Sequence, residues 1–88
     1  MILVFIETRN GAERQASLEA YAAARAVSDE VSAVSLSDAG SPMAVARALE
    51  EAARAHAADI VFMAETTLAR DVAGRLAARI GGRVDGGI

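Results

Sequence analysis

The sequence predicts an α/β fold of three layers, helices on both faces of a small parallel sheet of three or four strands. Three observations carry this expectation. The chain opens on a continuous apolar run, Ile2 to Ile6, rich in β-branched residues, as a strand buried on both faces requires. Strand-like and helix-like stretches then alternate, in the order βαβαβα with a further strand conceivable at Val84. Finally, Ala58 to Gly82 reads as strand, tight turn and helix without a break.

Each element has its own signal. After the first strand, Glu7 to Glu13 is polar and carries the turn signal Asn10-Gly11, which predicts a loop. Ser17 is placed to cap the helix that follows, with Ala20, Ala24, Val27 and Val31 on its inner face and Glu19, Arg25 and Asp29 turned away. Asp29-Glu30 is a poor C-terminus for a helix, because the dipole disfavours acids there. Val31 to Leu36 alternates apolar and polar residues and predicts a second, less buried strand. Ser37 to Gly40 is a loop, and Ser41-Pro42 is a cap residue followed by proline at the first helical position. The helix it starts places Val45, Leu49, Ala52 and His56 on one face and Arg47, Glu50, Glu51 and Arg54 on the other. Glu50 and Arg54 are spaced for an i, i+4 pair. In the last unit Ile60 to Ala64 is the strand, Glu65, Thr66 and Thr67 the corner, and Ala69, Val72, Ala73, Leu76 and Ile80 the helix stripe. Gly81-Gly82 ends the helix where a left-handed residue belongs.

Size and composition narrow the function classes. An 88-residue chain reads as a single α/β domain over residues 1–88, and with 3% aromatic residues its core is thin and alanine-filled. Stability from its own core is expected to be marginal, or aided by a partner. The net charge is −3, and the nine basic residues, all Arg, are spread along the chain rather than gathered in a stripe, which speaks against nucleic acid as a partner. Cysteine is absent, which excludes disulfides and thiolate chemistry. MILVFIE has no basic flank and is a strand rather than a targeting peptide, and no apolar run has the length of a membrane span. A cytoplasmic protein is expected.

Ligands of open α/β sheets bind at the carboxyl ends of strands, so the corner at Glu65–Thr67 is where chemistry is sought. Thr66 and Thr67 open a helix whose free amides and dipole suit a phosphate or carboxylate; the plainer reading is an ordinary cap, with Thr67 accepting from the amide of Arg70. Arg70 and Asp71 suit an interface or an anion, against the plainer reading of a surface pair, with Asp71 in the first turn and four residues before Arg75. Gly74 stands in the middle of a helix, where a close approach of another element would explain it. Glu7 and Glu65 each follow a strand and would meet if those strands are neighbours, although no third metal ligand accompanies them and solvated loop acids are the plainer reading. His56, the sole histidine, is placed to satisfy carbonyls at its helix end. Neither a catalytic triad nor a phosphate-binding glycine motif is present, so neither catalytic nor metal-binding residues are assigned.

The stretch from Asp59 to Gly81 resembles the amino-terminal domain of the electron transfer flavoprotein alpha subunit. The resemblance is carried by Asp59, Val61, Thr66, Leu68, Arg70, Asp71, Ala73, Arg75, Ala77, Ala78, Arg79 and Gly81. ILVFIETRNG resembles the family's first strand and turn, and SLEAYAAARAV its following helix. The resemblance implies a nucleotide-binding-like fold of the adenine nucleotide alpha hydrolase type. It implies an electron-carrier component rather than an enzyme, working as scaffold and interface with a beta subunit or a flavin-binding domain, in an assembly that carries FAD.

Three departures bear on that reading. The family usually has a further helix and strand before the helix that here begins at Ser41, so this is a reduced or truncated form. Without that neighbour the strand at Val31 to Leu36 is expected at a sheet edge, open to pairing, a homodimer included. The glycine- and serine-rich flavin motifs of the carboxy-terminal domain are absent, and Ala64 and Ala69 stand where the family often has glycine. No cofactor is therefore expected in this chain. Thr66, Thr67 and Arg70 are the only candidates for cofactor contact, and Arg70 and Asp71 are the interface candidates. The alternative is a stand-alone, universal-stress-like nucleotide-binding domain using the loops after Ile6 and Ala64, although the glycine-rich phosphate loop of those proteins is missing.

Overall fold

The computed structural model describes residues 1–9, 11–35, 41–64 and 66–82. Strand β1 (Ile2–Ile6) lies at the centre of a parallel sheet, between β4 (Val31–Ser35) and β5 (Ile60–Phe62). Ile2 stands level with both Val31 and Ile60, so the three strands begin together and run in one direction. Helices α1 (Gln15–Val27), α2 (Pro42–His56) and α3 (Thr67–Ile80) complete the αβα sandwich.

The central strand is buried at every position because its alternate side chains serve two cores. Leu3 and Phe5 point to α2 and α3, where they pack with Val45, Ala46, Leu49, Ala53, Val72 and Leu76. Ile2, Val4 and Ile6 point to the opposite face, against Ala24 of α1 with Ala20 and Tyr21 beside it. The side strand β4 is only half-buried and forms an edge of the described sheet, as its alternating sequence and missing neighbour predict. Ser41 caps α2 as expected, its Oγ accepting from the amide of Ala44 at 3.2 Å with Pro42 at the first helical position. Gly81 closes α3 at φ 70, a left-handed conformation that glycine adopts without a Cβ penalty.

Several local expectations are corrected. The polar stretch after β1 is a small hairpin rather than a plain loop: β2 (Thr8–Arg9) pairs antiparallel with β3 (Ala12–Glu13), and Gly11 turns it at φ 78. Ser17 does not cap α1, which starts two residues earlier; Ser17 is buried, and its Oγ accepts from the backbone N–H of Glu7 at 3.0 Å. Val27 is 71% exposed instead of facing the sheet, because α1 ends there and the chain turns into Ser28 in extended conformation. His56 is exposed; the end of α2 is closed by Ala57 in the left-handed region, whose own amide reaches the carbonyls of Ala53 and Arg54. Strand β5 ends at Phe62, two residues short of Ala64.

Helix α3 differs in what it packs against. Its buried residues are Ala69, Val72 and Leu76, and the helix leans mainly on α2, across which Arg79 reaches Glu50 at 2.7 Å. Ala73 is half-buried, and Ile80, expected against the sheet, is exposed at the helix end. Among the described residues no neighbour approaches Gly74: a Cβ built there would meet nothing within 4 Å, so close packing with them does not account for this glycine. The loop read at Ser37 to Gly40, the last residue of the predicted strand, Leu36, and the strand considered at Val84 lie outside the described residues.

Candidate functional site

Because the three strands are parallel, their carboxyl ends and the amino ends of all three helices meet on one side of the sheet. An open cleft of about 750 Å³ lies there. Glu7, directly after β1, forms its floor; Arg14 and Ala16 come from the start of α1, Pro42 from α2, and Thr66, Thr67, Leu68 and Asp71 from α3. This is the crevice in which open α/β sheets take their ligands.

The hairpin builds one wall. It folds back so that the amide of Arg14 donates to the carbonyl of Glu7 at 2.9 Å, which brings the Arg14 guanidinium within 3.8 Å of Glu7 Oε1. Glu7 is not the solvated loop acid expected: only a tenth of its side chain is exposed, and Oε2 is buried with no hydrogen-bond partner. Its backbone is held on both sides, by Ser17 Oγ through the amide and by Arg14 through the carbonyl. Strands β1 and β5 are neighbours, as a meeting of Glu7 and Glu65 would need, but Glu65 lies outside the described residues. Among the described residues no group of three or more acids and histidines could hold a metal ion.

The opposite wall is the start of α3. Thr66, not Thr67, is the cap: its backbone is extended and its Oγ1 accepts from the amide of Ala69 at 3.0 Å. The carbonyl of Thr66 takes the amide of Arg70 at 3.0 Å. The amides of Thr67 and Leu68 remain at the open end of the helix, with no acceptor among the described residues. Asp71 falls in the second turn rather than the first and accepts from Arg75 Nε at 2.8 Å. Arg70 is exposed, is held in an interaction of its own and is not among the cleft-lining residues. Thr66, Thr67 and Asp71 are thus brought together with Glu7, while Arg70 stands apart.

Arg14 was not legible as a site residue, yet a signal for it exists. A two-residue hairpin centred on Asn10-Gly11 pairs Arg9 with Ala12 and Thr8 with Glu13, so the next pair outward is Glu7 with Arg14. Counting outward from the turn would have found it.

The chain matches the model of the electron transfer flavoprotein domain family over residues 37–84. It belongs to that family. The match covers more than half of the chain and takes in α2, β5 and α3, hence the cap and amides of the cleft wall. It defines the domain and not one subunit of the flavoprotein. No curated protein and no solved structure matches the chain. Among the described residues no helix is long and apolar enough to cross a membrane.

The residues of the cleft do not fit the flavin of such proteins. A flavin ring system needs an apolar wall with a few placed polar groups. Among the described residues Ala16, Pro42 and Leu68 are the apolar lining, none of them aromatic, and the cleft is open. The buried methyl group of Ala69 sits in the first turn of α3, where the backbone would have to approach a pyrophosphate closely.

Proposed function

We propose that the chain, as a single α/β domain over residues 1–88, is the scaffold and interface part of an electron transfer flavoprotein alpha subunit-like protein. It takes part in FAD-dependent electron transfer with a beta subunit or flavin-binding domain and does no chemistry itself. The observation that carries this reading is the family match across α2, β5 and α3, with the residues from Asp59 to Gly81 resembling the alpha subunit in particular.

The surface supports it. Both outer strands of the described sheet have an open edge, and an open edge invites pairing with another chain. Val27, Ile60 and Ile80, at the end of α1, the start of β5 and the end of α3, are 71%, 49% and 43% exposed. Large apolar side chains left in water at the end of the sheet opposite the cleft suit a partner surface. Arg70 and Asp71, on the exposed flank of α3 near its cleft end, are proposed as polar interface residues separate from those three.

The test is co-elution of the purified chain with an electron transfer flavoprotein beta subunit on size exclusion. A complex is expected, and Arg70→Glu with Asp71→Arg weakens it about tenfold, as loss of a rim charge pair would. Separate elution at micromolar concentrations overturns the reading. One observation favours the second reading, a stand-alone nucleotide-binding domain: the cleft at the strand ends. Saturable binding of ATP by the chain alone would favour that reading over the first.

A further inference from the structure

We propose that the cleft binds a small hydroxylated anion, a phosphate or carboxylate that carries neighbouring hydroxyl groups, and that Glu7 is the residue that selects the hydroxyls. The inference rests on the cleft geometry and not on either reading of the family role.

Two independent observations meet in one cavity. The first is Glu7. Nine-tenths of its side chain is buried, Oε2 has no hydrogen-bond partner, and the contact of Arg14 with Oε1 at 3.8 Å is too long to be a hydrogen bond. A buried carboxylate without donors is costly, and the cost is recovered when a ligand supplies them. An ionised carboxylate only accepts, so the ligand must donate. The terminal torsion of Glu is broad and nearly two-fold, so the carboxylate can turn to present an oxygen to the cleft. Two neighbouring hydroxyls match its two oxygens.

The second is the start of α3. Thr66 Oγ1 satisfies the amide of Ala69, while those of Thr67 and Leu68 point from the helix end without an acceptor among the described residues. Free amides and the positive end of the helix dipole take an oxyanion there. Arg14, one-third exposed on the other wall, adds a cation that balances Glu7 as the anion enters. The site therefore reads donors at one end of the ligand and an oxyanion at the other. Plain anions satisfy only half of it.

The experiment records amide proton–nitrogen correlation spectra of the full chain during titration with glycerol 3-phosphate and with glycerate, which separate a phosphate from a carboxylate source. Inorganic phosphate and glycerol serve as the two half-ligands. Saturable shifts centred on the Thr67 and Leu68 amides are expected for at least one of the full ligands. Each half-ligand binds about tenfold more weakly, the loss of roughly one charge-assisted hydrogen bond. Glu7→Gln lowers affinity for the full ligand about tenfold and leaves that for inorganic phosphate unchanged. Thr67→Pro removes one amide at a helical position where proline is tolerated, and lowers affinity for both; it carries the test if the Glu7 variant loses its folded spectrum. The proposal is overturned if neither full ligand shifts these amides, or if inorganic phosphate binds as tightly as glycerol 3-phosphate.

Discussion

The hydroxyl of Ser17, buried in the first turn of α1, accepts the backbone N–H of Glu7 at 3.0 Å. This bond ties the start of α1 to the end of β1 and fixes the residue on the cleft floor. Ser17→Ala would leave a buried amide without a partner, at a cost of about 1–3 kcal/mol. Urea unfolding of the two proteins checks this; a difference below about 0.5 kcal/mol, the range of ordinary surface changes, would show that Ser17 does not hold Glu7.

Leu76 and Ile80 share a sequence stripe but not an environment, since Leu76 is buried between α2 and the sheet and Ile80 is exposed. Leu76→Ala is expected to destabilise by about 2–5 kcal/mol. Ile80→Ala should change stability by no more than about 0.5 kcal/mol. Equal losses in thermal unfolding would place both residues in the core and contradict the packing described.

Gly74 offers a gain. With open space where its Cβ would be, Gly74→Ala should stabilise α3 by about 0.5–1 kcal/mol through the entropy of the unfolded chain. A loss of stability on denaturant unfolding would reveal a neighbour that the structure does not place there.

Glu50 joins α2 to α3. Hydrogen bonds from Arg79 and then Arg54 hold its carboxyl below the ordinary value of 4.5. A depressed folded-state value means that the contribution is complete above the ordinary value and is lost as pH falls through the folded one. The stability gap between the native chain and Glu50→Gln should therefore be constant near neutrality and close below pH 4.5. Parallel curves down to the acid transition would mean that the tie contributes nothing.

The layered fold was legible because it rests on period and punctuation. The run Ile2–Ile6, the Ser41-Pro42 start and the Gly81 stop are local signals, and each forms the element it predicts. The misses are tertiary. Ser17 looked like a cap because serine commonly caps, but the hairpin starts the helix at Gln15 and turns that hydroxyl to Glu7. Val27 and Ile80 fit their stripes yet stand at helix ends, beyond the reach of the sheet. At the site, the Thr66-Thr67 corner was visible as a helix start, although the cap fell on Thr66. The burial of Glu7 was not visible, because it depends on a pairing across the hairpin and on its bond to the Ser17 hydroxyl of α1.

The central claim is that this chain gives scaffold and interface to a flavoprotein without holding the flavin. The direct measurement is to incubate the purified chain with FAD, alone and with an electron transfer flavoprotein beta subunit or flavin-binding domain, remove free ligand, and record the visible spectrum of each protein peak. The account predicts a colourless chain alone and flavin absorbance only in the peak that contains both proteins. Stoichiometric flavin retained by the chain alone would contradict it.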